Sequence, residues 1–387
     1  MIETADRVEA VAERLRESSE IAFDTEFLRE RTYFPQLGLI QIADDKKAWL
    51  VDPLALSEQD MEPLLSVFTD PKILKIAHSA EQDQECLAHD YGITARPLFD
   101  TSIGAALTGM GDQIGLAPLL RKMVGVDLPK GHTRTNWLKR PLQEAMAEYA
   151  ALDVYYLVDV GRRLLRDLEK RGRKDWALGL SANVADPERY KTNGLGPARK
   201  LAAGSRLSAR EYAVLKELSA WREERVRKSD IPRRWLAEDS TLMQLTRAQP
   251  KDVGHLADFR GLGGRVRDFG GEKILDAITR GLKVPEAELE EPPQKPEPTP
   301  KETAALVVFK SFLTFLAREN DVPLRYLMDG ETPLHLLRGD FESLDDLRAS
   351  GLLDEGAIEV LGEEMLAILS GRRALKIEHG AAVSFEP

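Results

Sequence analysis

The stretch Ile21-Ala22-Phe23-Asp24-Thr25-Glu26-Phe27 limits what this chain can fold into more than any other. Read as a β-strand it alternates, placing Asp24 and Glu26 on one face and Phe23, Thr25 and Phe27 on the other. Two carboxylates side by side on a mostly apolar strand repel each other and are costly to desolvate. A divalent cation would relieve both problems, and hard oxygen ligands suit Mg²⁺ or Mn²⁺ better than zinc. Taken alone, such a pair is more often a solvated edge of an antiparallel strand, so the rest of the chain must decide.

Around this strand the pattern is that of an α/β domain. Residues 4–17 read as an amphipathic helix through Val8, Val11, Ala12 and Leu15. Strand-like runs at 37–43 and 48–52 are joined by the polar turn Asp44-Asp45-Lys46-Lys47, which predicts a three-stranded antiparallel meander. Helix and strand then alternate: a helix over 58–68, a buried strand over 73–77, and a helix carrying Glu81, Asp83 and Glu85 with Ser79 as its N-cap. A short strand ends at Leu98-Phe99-Asp100, and helices follow to about 180. The first domain, 1–180, is therefore expected to be a mixed sheet, three antiparallel strands and then parallel ones, flanked by helices.

A connector over 181–205 contains Pro187, Gly194, Gly196, Pro197 and Gly204. An all-α segment over 206–284, a Pro/Glu-rich linker over 285–300 and a second all-α segment over 301–376 come next, with a frayed tail over 377–387. Gly261-Leu262-Gly263-Gly264 follows no strand and has no Lys-Ser/Thr partner, so it reads as a helix–helix turn. The two helical segments are copies of one unit. A shift of 91 positions aligns Leu215 with Leu306, Trp221 with Phe312, Asp230 with Asp321, Pro232 with Pro323, Arg234 with Arg325, Trp235 with Tyr326 and Leu275 with Leu366 without a gap.

Composition sets broad limits. With 387 residues, 43% apolar and 31% charged, the chain is long enough for two or three globular domains. A formal charge of −11 argues against bulk electrostatic binding of nucleic acid while leaving room for local basic patches. Cys86 is the single cysteine, which excludes an internal disulfide or a cysteine zinc cluster; on an apolar helical position it is expected to be a core residue. With no apolar run long enough to span a membrane and no basic, apolar leader at the N-terminus, a cytoplasmic location without membrane attachment is expected.

Three acidic sites stand in order: Asp24-x-Glu26 on a strand, Asp83 in the first turns of a helix after a buried strand, and Asp153 in Glu148-Tyr149-Ala150-Ala151-Leu152-Asp153. On a helix Tyr149 and Asp153 share one face. This set resembles the DEDD exonuclease superfamily. Tyr149 lies four residues before Asp153, and Glu148 stands where the histidine branch has its catalytic His, so the tyrosine branch fits. Phe23-Asp24-Thr25-Glu26-Phe27, the run Arg31-Thr32-Tyr33-Phe34-Pro35-Gln36-Leu37 and Trp137-Leu138-Lys139-Arg140-Pro141-Leu142 are similar to the ribonuclease D family. Trp221-Arg222, Asp230-Ile231-Pro232 and Leu275 resemble the HRDC domain, and the segment 301–376 is a diverged second copy.

The resemblance implies an RNase H-like exonuclease fold and 3′→5′ hydrolysis of RNA by two Mg²⁺ or Mn²⁺ ions held by Asp24, Glu26, Asp83 and Asp153. Tyr149 would orient the attacking water; a phenol with pKa near 10 is a poor base at neutral pH. Nucleoside 5′-monophosphates would be released from the 3′ ends of structured RNA such as tRNA precursors, by a monomer. Candidate RNA contacts are His78, for which a structural role at the strand end is the alternative, and Lys130, Arg134 and Arg140. His132 is too distant in sequence to replace Tyr149. Between 206 and 234 there are nine Lys or Arg against five Asp or Glu, whereas the matched span 297–325 has four of each. Arg222, Arg225 and Arg227 of the first copy are therefore expected to bind RNA phosphates, and the second copy mainly to pack or to shape the opening. Two alternatives stay open: a DNA-directed exonuclease using the same residues, and a non-catalytic RNA-binding protein.

Overall fold

Helix α1 (Ala5–Arg16) buries Val8, Val11, Ala12 and Leu15, the apolar stripe that its sequence spacing predicts. The computed structural model describes residues 1–129, 135–191, 195–262, 264–379 and 381–386. They form two compact units: Met1–Glu26 with Leu37–Asp186 and Pro296–Pro387, and Phe27–Gln36 with Pro187–Lys295.

In the first unit, β1 (Glu20–Leu28), β2 (Gln36–Ala43), β3 (Ala48–Val51), β4 (Leu74–Ala77) and β5 (Leu98–Asp100) make one sheet in the order β3-β2-β1-β4-β5. β2 and β3 are antiparallel, while β1 pairs with β4, and β4 with β5, in parallel. The acid-bearing strand is thus central, and Ile21, Ala22 and Phe23 are fully buried. Phe23 meets Phe68 of α2 (Glu58–Thr69) edge to face at 5.3 Å. α3 (Glu81–Tyr91) follows β4. Its expected cap is corrected: Ser79 stands at φ 60°, Ala80 occupies the N-cap, and no side chain of the helix caps it. Asp100 does the work from β5, its two carboxylate oxygens accepting from the Ser79 and Ala80 amides at 2.9 and 3.0 Å. Helices α4 (Thr101–Leu107), α5 (Leu116–Val124), α6 (Glu144–Tyr155), α7 (Leu157–Lys170) and α8 (Lys174–Val184) complete this part.

The second unit holds α9 (Leu195–Ala202), α10 (Ala209–Ser229), α11 (Arg233–Leu236), α12 (Asp239–Ala248) and α13 (Gly264–Lys283). Leu215, Leu218, Val226, Leu245, Ile274 and Ile278 form its core. The loop between β1 and β2 belongs here. Asp230, at φ 44°, accepts from the Tyr33 and Phe34 amides at 3.0 and 3.1 Å. The Tyr33 hydroxyl donates to Glu223 at 2.8 Å and accepts from Arg233 at 2.9 Å.

The repeat read from sequence recurs in the backbone. α14 (Pro300–Glu319), α15 (Leu324–Leu327), α16 (Thr332–Arg338), α17 (Leu344–Ser350) and α18 (Glu355–Leu369) follow the same order. Ser208 and Thr299, 91 positions apart, each open a capping box. α11 and α15 coincide under that shift, and Asp321, at φ 52°, matches Asp230. The second copy shares a core with the sheet. Phe312, Leu316 and Leu361 belong to one apolar cluster with Phe99, Leu164 and Trp176, and a Cβ on Gly356 would lie 2.1 Å from the Trp176 ring. The residues after 373 correct the expected frayed tail: β6 (Ala374–Glu378) and β7 (Ala381–Phe385) pair as an antiparallel hairpin with Leu375 opposite Ser384 and Lys376 opposite Val383. Among the described residues no helix is long and apolar enough to cross a membrane.

Candidate active site

Asp24 and Glu26 leave β1 on one face, as strand alternation requires, and α6 brings Asp153 to them. Carboxylate oxygens from the three residues lie within 4.8 Å of one another. α6 is set against the sheet by the segment that precedes it. Trp137 is buried with Leu39, Leu50, Met146 and Ala150, and its carbonyl lies so close to Gly38 that a Cβ there would stand 2.7 Å away. Arg140 locks the arrangement. Nη2 donates to Asp52 and to the Gly38 carbonyl, both at 2.6 Å, and Nη1 donates to the Trp137 carbonyl at 2.8 Å. Arg140, expected to touch RNA phosphate, is corrected to a structural strut whose donors are spent inside the fold.

Asp83 stands differently from the other three. Its Oδ1 accepts from the Thr25 amide at 3.0 Å and from the Thr25 hydroxyl at 2.5 Å. The structure therefore gathers Asp24, Glu26 and Asp153 into one cluster, with Asp83 fastened beside it through Thr25. Thr25 had no signal in the sequence beyond its place between two acids.

The cluster opens into a cavity of about 420 Å³ lined also by Tyr149, His78, Leu116, Pro118 and Leu128. No Lys or Arg is among the described residues that line it. Burial pushes Glu26 up to about 8, with the charges of Asp153 and Asp83 adding to it. Burial likewise pushes Asp153 up to about 7 against a hydrogen bond from Tyr149, and Asp83 to about 6 against the two bonds from Thr25. Asp24 is raised well above the carboxylate range by burial and then by Asp83, Asp153 and Glu26. The Tyr149 hydroxyl is itself raised, by burial and by Asp153, so it is a donor at neutral pH. Asp153 Oδ1 is buried with no hydrogen-bond partner among the described residues. An oxygen without a donor among mutually repelling carboxylates, with no Lys or Arg among the described lining residues, fits a hard divalent cation.

His78 lines the cavity with both ring nitrogens engaged. Nε2 donates to the Ile114 carbonyl at 3.1 Å and Nδ1 meets Thr101 Oγ1 at 2.9 Å. Burial lowers its pKa, and it serves as a neutral brace for the segment leading into α5. Lys130, Arg134 and His132 lie outside the described residues. Arg222 is corrected. It is 1% exposed, on the same helical stripe as Leu218 and Val226, and Nη1 donates to the Ala237 carbonyl at 3.1 Å and to Asp239 at 2.7 Å. Arg225 and Arg227 are exposed on α10, and Arg227 sits 5.8 Å from the Phe34 ring centroid.

Residues 1–169 match the family model described as 3′-5′ exonuclease, and residues 211–278 match the HRDC domain. Ribonuclease D of Gluconacetobacter diazotrophicus is 34% identical over 98% of this chain and 94% of its own. That of Nitrobacter hamburgensis is 32% identical over 100% and 99%. The crystal structure of Escherichia coli RNase D, an exoribonuclease involved in structured RNA processing, superposes with a TM-score of 0.78 at 30% identity, covering 94% of this chain and 98% of that one. The chain belongs to the ribonuclease D family, 3′→5′ exoribonucleases in which an exonuclease domain is followed by an HRDC domain.

Proposed function

We propose that this exoribonuclease trims the 3′ ends of structured RNA, tRNA precursors among them, one nucleoside 5′-monophosphate at a time. The observation that carries the reading is the convergence of Asp24, Glu26 and Asp153 within 4.8 Å at the wall of a nucleotide-sized cavity. The Escherichia coli relative's part in structured RNA processing supports the substrate class.

Asp24, Glu26 and Asp153 would hold two Mg²⁺ or Mn²⁺ ions, with Asp83 as the fourth carboxylate. When bound, such ions supply positive charge to the scissile phosphate and a water-derived nucleophile at neutral pH. The chain supplies the rest. Phe23 against Phe68 and the full burial of Ile21 and Ala22 keep β1 rigid, so the two acids enter the cavity at fixed positions. Tyr149 stays protonated and donates, holding the Asp153 carboxylate and presenting a hydroxyl for orienting water. It is a positioning donor and not a base.

The test uses matched RNA and DNA oligonucleotides labelled at the 5′ end, incubated with Mg²⁺, Mn²⁺ or EDTA. A metal-dependent ladder on RNA is expected. A ladder on DNA alone, or no ladder with either metal, would overturn the reading.

A further inference from the structure

We propose that Arg234 and Trp235, outside the carboxylate cluster, form an RNA subsite that clasps one phosphate and stacks one unpaired base. The inference rests on the RNA reading above, and its basis is the internal repeat. In the second copy the matched pair, Arg325 and Tyr326, is fully engaged. Arg325 Nε pairs with Asp112 at 2.6 Å, Nη2 donates to the Asp112 carbonyl at 2.6 Å, and the guanidinium lies 4.7 Å from the Tyr326 ring centroid. That position grips a carboxylate and a carbonyl, the kind of oxygen-rich group for which an arginine fork is suited.

In the first copy the same two positions are open. Arg234 is exposed and has no hydrogen-bond or ion-pair partner among the described residues. Trp235 is 49% exposed and stacks on no aromatic or cationic group among them. An exposed tryptophan beside an uncommitted arginine is unusual on a surface that binds nothing. Arg234 also lines a cleft of about 350 Å³ with Arg29, Glu30, Tyr33 and Arg233. Arg233 is committed to Glu223 and Tyr33, at 2.5 and 2.9 Å, and Arg29 donates to the Tyr33 carbonyl at 2.9 Å, which leaves Arg234 as the cation of the cleft with no hydrogen-bond or ion-pair partner among the described residues. Arg225, Arg227 and Lys228 are exposed on the neighbouring α10 as well, and such a run of surface cations favours a polyanion over an acidic peptide's few charges. A π-face next to a phosphate-binding cation is the usual pairing for a single-stranded nucleotide.

The test uses the full chain. Affinity for a fluorescent tRNA transcript carrying a short 3′ extension is measured in EDTA across a salt series, and turnover of a tetranucleotide is measured in Mn²⁺. Arg234→Gln should weaken tRNA binding about tenfold and lower the slope of log affinity against log salt by about 1. Trp235→Ala should weaken binding about tenfold, while Trp235→Phe, which keeps a ring, stays near the parent. All three should turn over the tetranucleotide at the parental rate. Parental affinity and salt slope in both Arg234→Gln and Trp235→Ala overturn the subsite. So does an equal loss on the tetranucleotide, which would mean the residues act through the fold. If the parent itself neither binds nor shortens RNA, the exoribonuclease reading fails first.

Discussion

Asp153→Asn should stabilise the metal-free protein while abolishing its activity. Burial raises the Asp153 carboxyl from 3.8 to about 7, so the folded chain holds a proton that the unfolded chain releases. With a folded pKa above the unfolded one, a carboxylate destabilises the fold as pH rises through that interval and reaches its full effect above about 7. A rise of about three is worth about 4 kcal/mol, and water entering at the cavity wall reduces this to about 2–4 kcal/mol at pH 8. At pH 5 less than half of the interval has been crossed, so the gain should be correspondingly smaller. An asparagine keeps the shape and an oxygen to accept from Tyr149 without the charge. The assay is urea unfolding in EDTA at pH 5 and pH 8, repeated with Mn²⁺. The parent should lose stability from pH 5 to 8 and recover it with Mn²⁺, whereas the variant should lose less and respond little to the metal. A variant no more stable than the parent at pH 8 in EDTA would refute the repulsive-cluster reasoning.

Tyr149→Phe should slow RNA hydrolysis about ten- to hundredfold through loss of one positioning hydrogen bond, with the Mn²⁺-induced rise in melting temperature retained; loss of that rise would make Tyr149 part of the metal site itself. Asp24→Asn should leave RNA binding in EDTA near parental and remove hydrolysis, and near-parental hydrolysis would exclude Asp24 as a ligand. Arg140→Met should cost about 3 kcal/mol in urea unfolding, because it strands Asp52, whose side chain is 3% exposed; unchanged stability together with a lower salt slope for RNA binding would restore Arg140 as a phosphate contact. Arg222→Leu, the residue the second copy carries as Leu313, should cost about 1 kcal/mol, since Asp239, at 63% side-chain exposure, can rehydrate. Its RNA affinity and salt slope should match the parent.

The parts of the site that could be read from the sequence are those that local geometry places. Strand alternation puts Asp24 beside Glu26, and helical spacing puts Tyr149 over Asp153. The 91-residue repeat was visible because α11 and α15 and their left-handed aspartates recur at fixed spacing. What stayed hidden depends on partners far away in the chain. Nothing near Arg140 announces that Asp52, 88 positions earlier, will take its guanidinium. Arg222 sits among arginines in sequence, and only packing of α10 reveals that it shares a face with Leu218 and Val226. Basic composition marked the first helical copy correctly as cationic but could not say which cations face water.

By itself the sequence determined the chemistry the site can perform, because residue type and short-range spacing set which carboxylates can neighbour one another on a strand or a helix. The tertiary structure decided the cluster's membership and the use of each cation. It joined Asp153 to Asp24 and Glu26, fastened Asp83 to Thr25, spent Arg140 and Arg222 inside the fold and left Arg234 and Trp235 in solvent. The reason is physical: backbone geometry repeats every two or 3.6 residues and is written locally, whereas desolvation depends on every group that arrives, and those groups come from anywhere in the chain.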